Sequence, residues 1–423
     1  MKIKKLFGYQ VLDSRGRPTI AAAISLDDGT THTARVPSGA STGKHEAMEL
    51  RDGNLADANR FYGGKSVAQA VANINSLIAP TLVGRDISLT DIDTQLINLD
   101  PSENHMKLGA NATLAVSLAA AIAEAHSQSK SLTRFFNGDG ELEIPMPMVN
   151  ILSGGAHAGR TLDIQDVLVL PIGANSFTES LAWIVAIREA AAKIGAAEGK
   201  VTHLIADEGG LGIAFASMAQ ACDFVVKVIS SVGLNPGSDV SLALDIASTQ
   251  FFDGSKYNLK TEGRSLTSAD FVQYINRLVS SQPIVSIEDP FAEDDWAAWQ
   301  EFMSIAPVKL QVLGDDLLTT NLGRLNKAIA DNSANAILIK ANQNGLVTST
   351  LNVLKQARAN NFNTVVSARS GETEDSWLAD LATGWRAGQI KVGSTHGAER
   401  TAKWNRLLEL EATEPSRFSN PFA

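Results

Sequence analysis

Short apolar runs alternate with helix-like stretches over the last two thirds of the chain. Apolar runs at 240–244, 284–287 and 310–314 are each followed by a pattern of helical period. The predicted helices lie at about 216–232, 268–281, 293–304, 321–332 and 346–360. Strands that alternate with helices are typical of parallel β–α units.

Six successive apolar runs lead into charged residues, three acids and then three bases. These residues are Asp245, Glu288, Asp315, Lys340, Arg369 and Lys391. One acid after a strand could equally be a helix N-cap. Capping does not explain six charged ends spaced by about one strand and one helix. Because parallel strands of a (β/α) barrel carry their active site at the C-terminal rim, this pattern predicts a barrel with a charged rim.

The N-terminal part of the chain has a different pattern. Residues 3–36 alternate in the manner of strands and have turn signals at 14–18 and 27–29, which predicts an antiparallel meander. Helical patterns follow at about 66–82, 89–98 and 112–127. Glycine and proline between 137 and 147 mark a boundary. We therefore predict an α/β protein with an α+β cap domain at 1–136 and a barrel domain at 137–423.

Composition narrows the class of protein. The chain has 423 residues, 44% of them hydrophobic, and a formal net charge of −10, so nucleic acid and anionic membranes are unfavourable partners. Cys222 is the only cysteine, which excludes an intrachain disulfide. The first residues lack a signal-peptide pattern and no apolar run is long enough to span a bilayer, so we expect a cytoplasmic protein.

The charged rim suggests a reaction. Three carboxylates at neighbouring rim positions, Asp245, Glu288 and Asp315, make an all-oxygen site suited to Mg²⁺. Metal charge can stabilise the ene-diolate that forms when a carboxylate substrate loses its α proton to a lysine base. Lys340 is the candidate base, and nearby cations such as Lys391 would lower its pKa. Glu208, after the apolar run 203–206, offers an acid across the barrel.

Two glycine-rich loops also stand out. Gly39-x-Ser41-x-Gly43 matches the nucleophile elbow of hydrolases, but the segment before it is polar rather than a buried strand. A mobile lid at 37–43 is the better interpretation. His157 lies in the glycine-rich stretch 154–159 and is either a solvated loop residue or a residue of the barrel mouth.

Motifs spread along nearly the whole chain resemble those of the enolase family. They lie at 12–19, 37–43, 108–112, 207–210, 286–289, 314–317, 338–340, 369–375 and 388–391. The resemblance implies a modified TIM (β/α)8 barrel behind a cap domain and a homodimer. It also implies a Mg²⁺-dependent lyase that dehydrates 2-phosphoglycerate to phosphoenolpyruvate, a small phosphorylated carboxylate.

The resemblance implies roles for metal-binding and catalytic residues. Two Mg²⁺ ions are expected, the first held by Asp245, Glu288 and Asp315 and the second joined by Ser41. The implied catalytic residues are Lys340, which takes the C2 proton, Glu208, which protonates the departing hydroxyl, and Asp166 in the relay on the acid side.

Substrate-binding residues follow from the same resemblance. The implied contacts are His157, Arg369 and Ser370 at the phosphate, Lys391 at the substrate carboxylate, and Gln165 and Glu288 beside them.

The chain departs from the family pattern at the site itself. Ala368 stands where the family has histidine, and Asp166 where it has glutamate, which withdraws that carboxyl by roughly 1.5 Å. Residues 211–214 and 392–397 also differ, and His396 is a candidate for the space beside Ala368. Two alternatives therefore stay open: the same lyase chemistry on a related phosphonate or carboxylated substrate, or a non-catalytic binding protein on the enolase scaffold.

Overall fold

The computed structural model describes residues 1–40, 43–53 and 61–423. Within them, a small sheet with its helices precedes a closed barrel of eight strands. The closed barrel behind an α+β unit confirms the predicted fold class.

The N-terminal unit is built on the predicted antiparallel meander. Its strands pair in the order β1–β2–β3, and they are β1 (Ile3–Leu12), β2 (Pro18–Leu26) and β3 (Thr31–Arg35). The helices are α1 (Ala68–Asn73), α2 (Ala79–Leu82), α3 (Leu89–Leu99), α4 (Ala110–Ser127) and α5 (Leu132–Asn137). A π-helical turn, Ile74–Ile78, joins α1 to α2.

Small side chains bring the sheet and its main helix together. β2 carries Ala21, Ala22 and Ala23, all buried, and α4 packs against β2 and β3. Most of α4 is buried and alanine-rich, so its backbone lies close to the sheet. Alanines such as Ala22 and Ala115 share the core of the N-terminal unit with larger side chains such as Ile20, Ile24 and Leu118.

The barrel strands follow one another around a ring. In ring order they are β5 (Met146–Ser153), β6 (Asp166–Leu170), β7 (Ser241–Asp245), β10 (Ile284–Glu288), β11 (Gln311–Gly314), β12 (Ala336–Ile339), β13 (Asn363–Ser367) and β14 (Gly388–Gly393). The other strands are β4 (Leu142–Ile144) paired with β15 (Ser416–Phe418), and the hairpin β8 (Lys256–Leu259) and β9 (Arg264–Thr267).

Helices surround this ring. They are α6 (Phe177–Ala197), α7 (Met218–Ser231), α8 (Ser268–Ser281), α9 (Trp296–Ile305), α10 (Leu322–Asp331), α11 (Ala341–Asn344), α12 (Val347–Ala359), α13 (Trp377–Gly384) and α14 (Ala398–Thr413). Side-chain caps begin several of them: the Thr267 hydroxyl accepts from the Asp270 amide, and the Asn321 side chain accepts from the Arg324 amide.

The barrel interior is a separate apolar core. Alternate residues of each strand point inward, as Met146 and Met148 do on β5 and Leu168 and Leu170 do on β6. This core fills the space below the charged rim, so the ring is not a pore.

One barrel strand runs against the others. β6 pairs antiparallel with both β5 and β7, whereas the remaining neighbours are parallel. The apolar content of 166–170 does not reveal strand direction, so this reversal is absent from the sequence prediction.

The segment after β13 joins the barrel to the N-terminal sheet. Arg35 Nη1 lies 2.5 Å from Asp375 Oδ1, and the Arg35 amide donates to the same carboxylate at 2.7 Å. Ser38 and Gly371 form a backbone bridge. The rim segment that carries Arg369 is therefore tied directly to the cap.

Candidate active site

The charged strand ends meet at one rim of the barrel. Asp245 and Glu288 are the last residues of β7 and β10 and are paired in register. The other four lie at or just beyond the next strands: Asp315, Lys340, Arg369 and Lys391. All of them except Glu288 line one cavity, which Glu288 borders through its contact with Lys391.

An ammonium group lies between two of the predicted metal ligands. Lys391 Nζ is 2.7 Å from Asp245 Oδ2 and 2.7 Å from Glu288 Oε2, and all three side chains are buried. Burial lowers the pKa of Lys391, but Asp245 and Glu288 raise it well above its usual value. Burial and the neighbouring Asp245 also raise the pKa of Glu288. The negative charge of the buried Asp245 and Glu288 carboxylates can be balanced only by cations close to them.

The third predicted ligand is held by the predicted base. Lys340 Nζ donates to Asp315 Oδ2 at 2.5 Å, and Gln343 Nε2 donates to Asp315 Oδ1 at 2.9 Å. Burial lowers the pKa of Lys340, but Asp315 raises it, and the net pKa lies above its ordinary value. The sequence prediction of a depressed lysine pKa is therefore not met while Asp315 holds the ammonium.

Two further acids support this part of the rim. Asp289, at φ +41°, accepts hydrogen bonds from the Asp315 amide at 2.9 Å and the Asp316 amide at 2.7 Å. Burial and Asp315 raise the pKa of Asp316 to about 8. The oxygens of Asp289, Asp315 and Asp316 lie within 4.8 Å of one another. The acidic doublets 288–289 and 315–316 were the available signal for these acids, but the sequence analysis assigned a role to only one member of each.

A buried hydrogen-bonded chain lies on the far side of the cavity. Ser153 Oγ donates to Asp166 Oδ1 at 2.6 Å, and Asp166 Oδ2 is 3.1 Å from His157 Nδ1. His157 Nε2 is 3.2 Å from Ser370 Oγ and 3.6 Å from Glu208 Oε1. His157 is therefore a buried residue of the barrel mouth, and the alternative of a solvated loop residue is wrong.

Two groups of this hydrogen-bonded chain have pKa values far from their ordinary ones. Burial lowers the pKa of His157, but Glu208 and Asp166 raise it to about 9. Burial raises the pKa of Glu208, but His157, Arg400 and Lys391 lower it to about 2. At neutral pH the proton therefore resides on the imidazole and Glu208 is ionised.

Glu208 reaches the rim from a loop and not from a strand. Residues 203–206 form no strand, and Leu204 and Ile205 are about half exposed. An isolated bridge between Leu152 and Leu211 ties this loop to the barrel, and the Ser394 amide donates to the Glu208 carbonyl at 2.8 Å. The apolar run 203–206, which places Glu208 near a strand end in the sequence prediction, is therefore not a strand, because apolar residues can lie at a surface as well as in a core.

Glutamines connect the metal side to the loop beside it. Gln165 Nε2 donates to Asp245 Oδ2 at 3.0 Å, and Gln250 Nε2 donates to Gln165 Oε1 at 2.6 Å. Gln165 thus touches a predicted metal ligand as well as the cavity.

The predicted phosphate group site is filled by a carboxylate from the N-terminal unit. Arg369 Nη1 lies 3.0 Å from Glu46 Oε2, and both side chains are buried. Glu46 Oε1 also accepts from the Gly43 amide at 2.9 Å. Ser41, the predicted ligand of the second metal, lies outside the described residues, as does part of the predicted lid.

A fully buried arginine holds this segment from below. Arg400 Nη1 donates to the Arg369 carbonyl at 2.7 Å, and Arg400 Nη2 donates to the Ser370 carbonyl at 2.6 Å. The sequence analysis missed it. The available signal was its helical spacing with Trp404 and Leu407, which places a charge on an apolar face.

Of the two departures from the family pattern, one lies on the cavity wall and the other is buried behind His157. Ala368 lines the cavity, and the short Asp166 carboxylate still reaches His157. His396 is exposed and does not line the cavity, so the expectation that it fills the space beside Ala368 is wrong.

The residues at the rim fit a hard divalent cation. Asp245, Glu288 and Asp315 supply buried carboxylate oxygens, and two ammonium groups now occupy those oxygens as the balancing charge. Oxygen donors of this kind suit Mg²⁺, and no thiolate is near. A cation at these acids requires Lys391 and Lys340 to release them.

The fold and the cavity define a barrel enzyme with acids and buried lysines at its rim. The sequence matches two family models: "Enolase, N-terminal domain" over residues 3–136 and "Enolase, C-terminal TIM barrel domain" over 141–417. It is also 42% identical over 413 residues to "Enolase 1" of Methylococcus capsulatus, which covers 97% of both chains.

This chain belongs to the enolase family and is an enzyme of the hydro-lyase class. The predicted family resemblance is thereby confirmed. In the described part of the chain, no helix is both long and apolar enough to cross a membrane.

Proposed function

We propose that this enzyme dehydrates 2-phosphoglycerate to phosphoenolpyruvate in a Mg²⁺-dependent reaction. One observation carries the proposal: a single cavity is lined both by Lys340 with the proposed metal ligands Asp245 and Asp315 and by Glu208 with His157. In the ring of eight strands, β6 lies opposite β12, so the His157–Asp166 pair faces Lys340 across the barrel. A base and an acid on opposite faces of a substrate suit the removal of H⁺ and hydroxide from adjacent carbons.

Asp245, Glu288 and Asp315 would hold the first Mg²⁺, and Ser41 would contribute to the second. The bound ions would neutralise the negative charge that develops on the substrate carboxylate when C2 loses its proton. Lys391, freed from Asp245 and Glu288, would then face that carboxylate with its positive charge.

Lys340 would take the C2 proton. An ammonium cannot accept a proton, so the 2.5 Å pair with Asp315 must first be broken and the amine deprotonated. Lys391 and Arg369 both favour the neutral amine, because like charges lower the pKa of Lys340.

The proton for the departing hydroxyl would come from the His157–Glu208 pair. Glu208 is ionised at neutral pH and His157 carries the proton, 3.6 Å from Glu208 Oε1. Passing that proton through Glu208 to the C3 hydroxyl would release water. The cycle balances, since one proton leaves C2 and one reaches the hydroxyl.

Arg369 and Ser370 would bind the phosphate, with His157 beside them. The carboxylate of Glu46 now occupies the Arg369 guanidinium, so an incoming phosphate must displace it. Such an exchange of one anion for another would couple substrate binding to movement of the segment after the predicted lid.

The test is the formation of phosphoenolpyruvate from 2-phosphoglycerate, followed by ultraviolet absorbance with Mg²⁺ and with a chelator. We expect product only when Mg²⁺ is present. Failure to form product with fully loaded enzyme would end the proposal.

A second candidate is the same lyase chemistry on a related phosphonate or carboxylated substrate. Ala368 favours it, because this wall of the cavity lacks the imidazole that the family pattern places there. Turnover comparison with Ala368→His separates the two: if 2-phosphoglycerate is the true substrate, restoring the imidazole should raise its kcat/KM or leave it unchanged. A lower kcat/KM for 2-phosphoglycerate in Ala368→His would instead favour the second candidate.

The working form that we propose is a cytoplasmic homodimer with two Mg²⁺ per site, a cap domain at 1–136 and a barrel domain at 137–423. Light scattering after size-exclusion chromatography tests the oligomeric state, and a single subunit mass would contradict it.

A further inference from the structure

A second cleft lies beside the catalytic cavity and shares one wall with it. This side cleft has a volume of about 250 Å³ and includes Gly155, Arg160, Asp163, Gln250, Phe252 and Lys260 in its lining. Gln250 lines both the side cleft and the catalytic cavity. The volume is below the usual range for drug-sized ligands, so an occupant would be small.

One wall of the side cleft is aromatic and rigid. Phe251 and Phe252 line it, and both pack from behind on Tyr257, with ring centroids 6.2 Å and 4.5 Å away. Tyr257 itself is fully buried and stacks on Phe271 at 4.4 Å. Because the rings are held by the core, the apolar surface exists before a ligand arrives, and binding would require little reordering.

The two acids of the side cleft are already satisfied. Asp163 accepts hydrogen bonds from the Lys260 and Thr261 amides, both at 3.0 Å, and from the Thr261 hydroxyl. Asp253 accepts from the Ser255 and Lys256 amides, both at 2.9 Å, and from the side chains of Ser255 and Asn258. These carboxylates therefore hold the loops together and are not directed at the cations.

Arg160 and Lys260 are the cations that line the side cleft. Among the residues that the structure describes, neither the Arg160 guanidinium nor the Lys260 ammonium forms an ion pair or a side-chain hydrogen bond. Both side chains are exposed. In a chain of net charge −10, two unpaired cations beside an apolar wall are a local site for negative charge.

We propose that the side cleft binds a small organic anion with a flat apolar body and one acidic group. The body would lie against Phe251 and Phe252, and the acidic group would pair with Arg160 and Lys260. Inorganic anions would bind more weakly, because they cannot use the aromatic wall.

Such a ligand would contact Gln250, which is connected to the proposed metal ligand Asp245 by two hydrogen bonds. Gln250 donates to Gln165 at 2.6 Å, and Gln165 donates to Asp245 at 3.0 Å. Gln250 Oε1 also accepts from the Ala156 amide at 3.1 Å, next to His157. The side cleft therefore adjoins the catalytic cavity through Gln250, while its other lining residues belong to the side cleft alone.

The test uses 4-fluorobenzoate as the probe, with metal-free enzyme and ¹⁹F NMR titration. We expect saturable binding to the wild type. Arg160→Asn combined with Lys260→Gln should weaken it about tenfold, since each exposed pair contributes up to about 1 kcal/mol. Asparagine is chosen at position 160 because the residue has φ +61°, a region that asparagine tolerates.

A matched control removes the same charge elsewhere. Arg358→Gln combined with Arg386→Gln alters two arginines of another cleft, lined also by Phe362 and Gly388, and should leave the affinity within twofold. Phe252→Ala should also weaken binding of the probe, and inorganic phosphate at the same concentration as the probe should displace little of it from the wild-type enzyme.

Several outcomes would overturn the proposal. They are no saturable binding to the wild type, equal affinity in the Arg160→Asn/Lys260→Gln variant, an equal loss in the control, or displacement by inorganic phosphate, which would place the probe at an anion site without an apolar wall. Because the titration needs neither Mg²⁺ nor turnover, its failure is distinct from failure of the proposed dehydration.

Discussion

Lys340 is held in its protonated state by the residue whose release would activate it. Its ammonium is paired with Asp315, and the pKa lies above its ordinary value despite burial. The resting pair protects a charged lysine in a buried cavity, where an unpaired charge would be costly. In the proposed mechanism, the Lys340 amine would therefore serve as a base only after Asp315 releases it.

Replacing Lys340 by methionine should remove proton abstraction while leaving the acids intact. We expect exchange of the C2 hydrogen of 2-phosphoglycerate with solvent to fall by about 10³, within the range usual for a general base. NMR in D₂O measures this exchange, and calorimetry should show Mg²⁺ binding at least as tight as in the wild type. Lys327→Met, on the exposed face of α10, is the control, and exchange within tenfold of the wild type in Lys340→Met would contradict the assignment.

His157 should make stability depend on pH in the alkaline range. Its folded-state pKa of about 9 lies above the ordinary 6.5, so folding favours the imidazolium. The stabilisation is complete below pH 6.5 and is lost as the pH rises through 9. Urea denaturation between pH 6 and 10 should therefore show a declining free energy of unfolding, with a smaller decline in His157→Gln.

The matched control for this measurement is His203→Gln, which changes an exposed histidine. It should keep the wild-type slope. Identical slopes for His157→Gln and the wild type would show that His157 does not bind its proton more tightly in the folded state.

At the scale of elements, the acid-side loop is fitted to β5 by glycine. A Cβ atom on Gly210 would lie 2.2 Å from Ser153 Oγ, and Ser153 in turn positions Asp166. The loop that carries Glu208 can approach the strand this closely only without a side chain at 210.

Gly210→Ala should therefore move Glu208 away from His157. We expect a loss of about 10² in turnover, of the size seen when a reacting group is misplaced. In a Ser153→Ala background the same change should cost less, because the oxygen that clashes is gone. Steady-state kinetics of the single and double variants test this, and an equal loss from Gly210→Ala in both backgrounds would contradict the steric explanation.

At the scale of the whole molecule, the cap and the barrel meet at residues 369–375, the segment that carries the proposed phosphate-binding residues. The cap contributes Glu46 to Arg369 and Arg35 to Asp375, and Ser38 pairs with Gly371. Residues 369–375 thus belong to the barrel in sequence and to the interface in space. Loss of this contact would change stability and the proposed phosphate site together.

Gly371→Ala tests that connection. Its Cβ would lie 2.1 Å from Asp13 Oδ2 and 2.4 Å from Arg15 Nη2, so the cap must shift. We expect a loss of about 1–3 kcal/mol in the free energy of unfolding, as for other overpacked sites. Gly212→Ala, where the nearest atoms lie at an ordinary 3.5 Å, is the control, and equal stability of the two variants would contradict the prediction.

The sequence by itself determined most of the barrel elements and the rim at which the parallel strands end. Apolar runs that end in Asp245, Glu288 and Asp315 mark strands because burial of a short strand requires continuous apolar residues, and parallel connections bring those ends together. The helices α7, α8, α9, α10 and α12 were predicted within about three residues at each end, since each has a repeating apolar face, whereas the four-residue α11 was not predicted.

Only the tertiary structure decided what those residues contact. The reversal of β6, the loop that carries Glu208, the pairing of Glu46 with Arg369, and the support from Arg400 all depend on contacts between distant segments. Ionisation at the site was decided in the same way: the proton rests on His157 because two carboxylates surround the buried imidazole. Local patterns encode which face of an element is buried, but the charge of a buried group is set by neighbours that the chain brings from elsewhere.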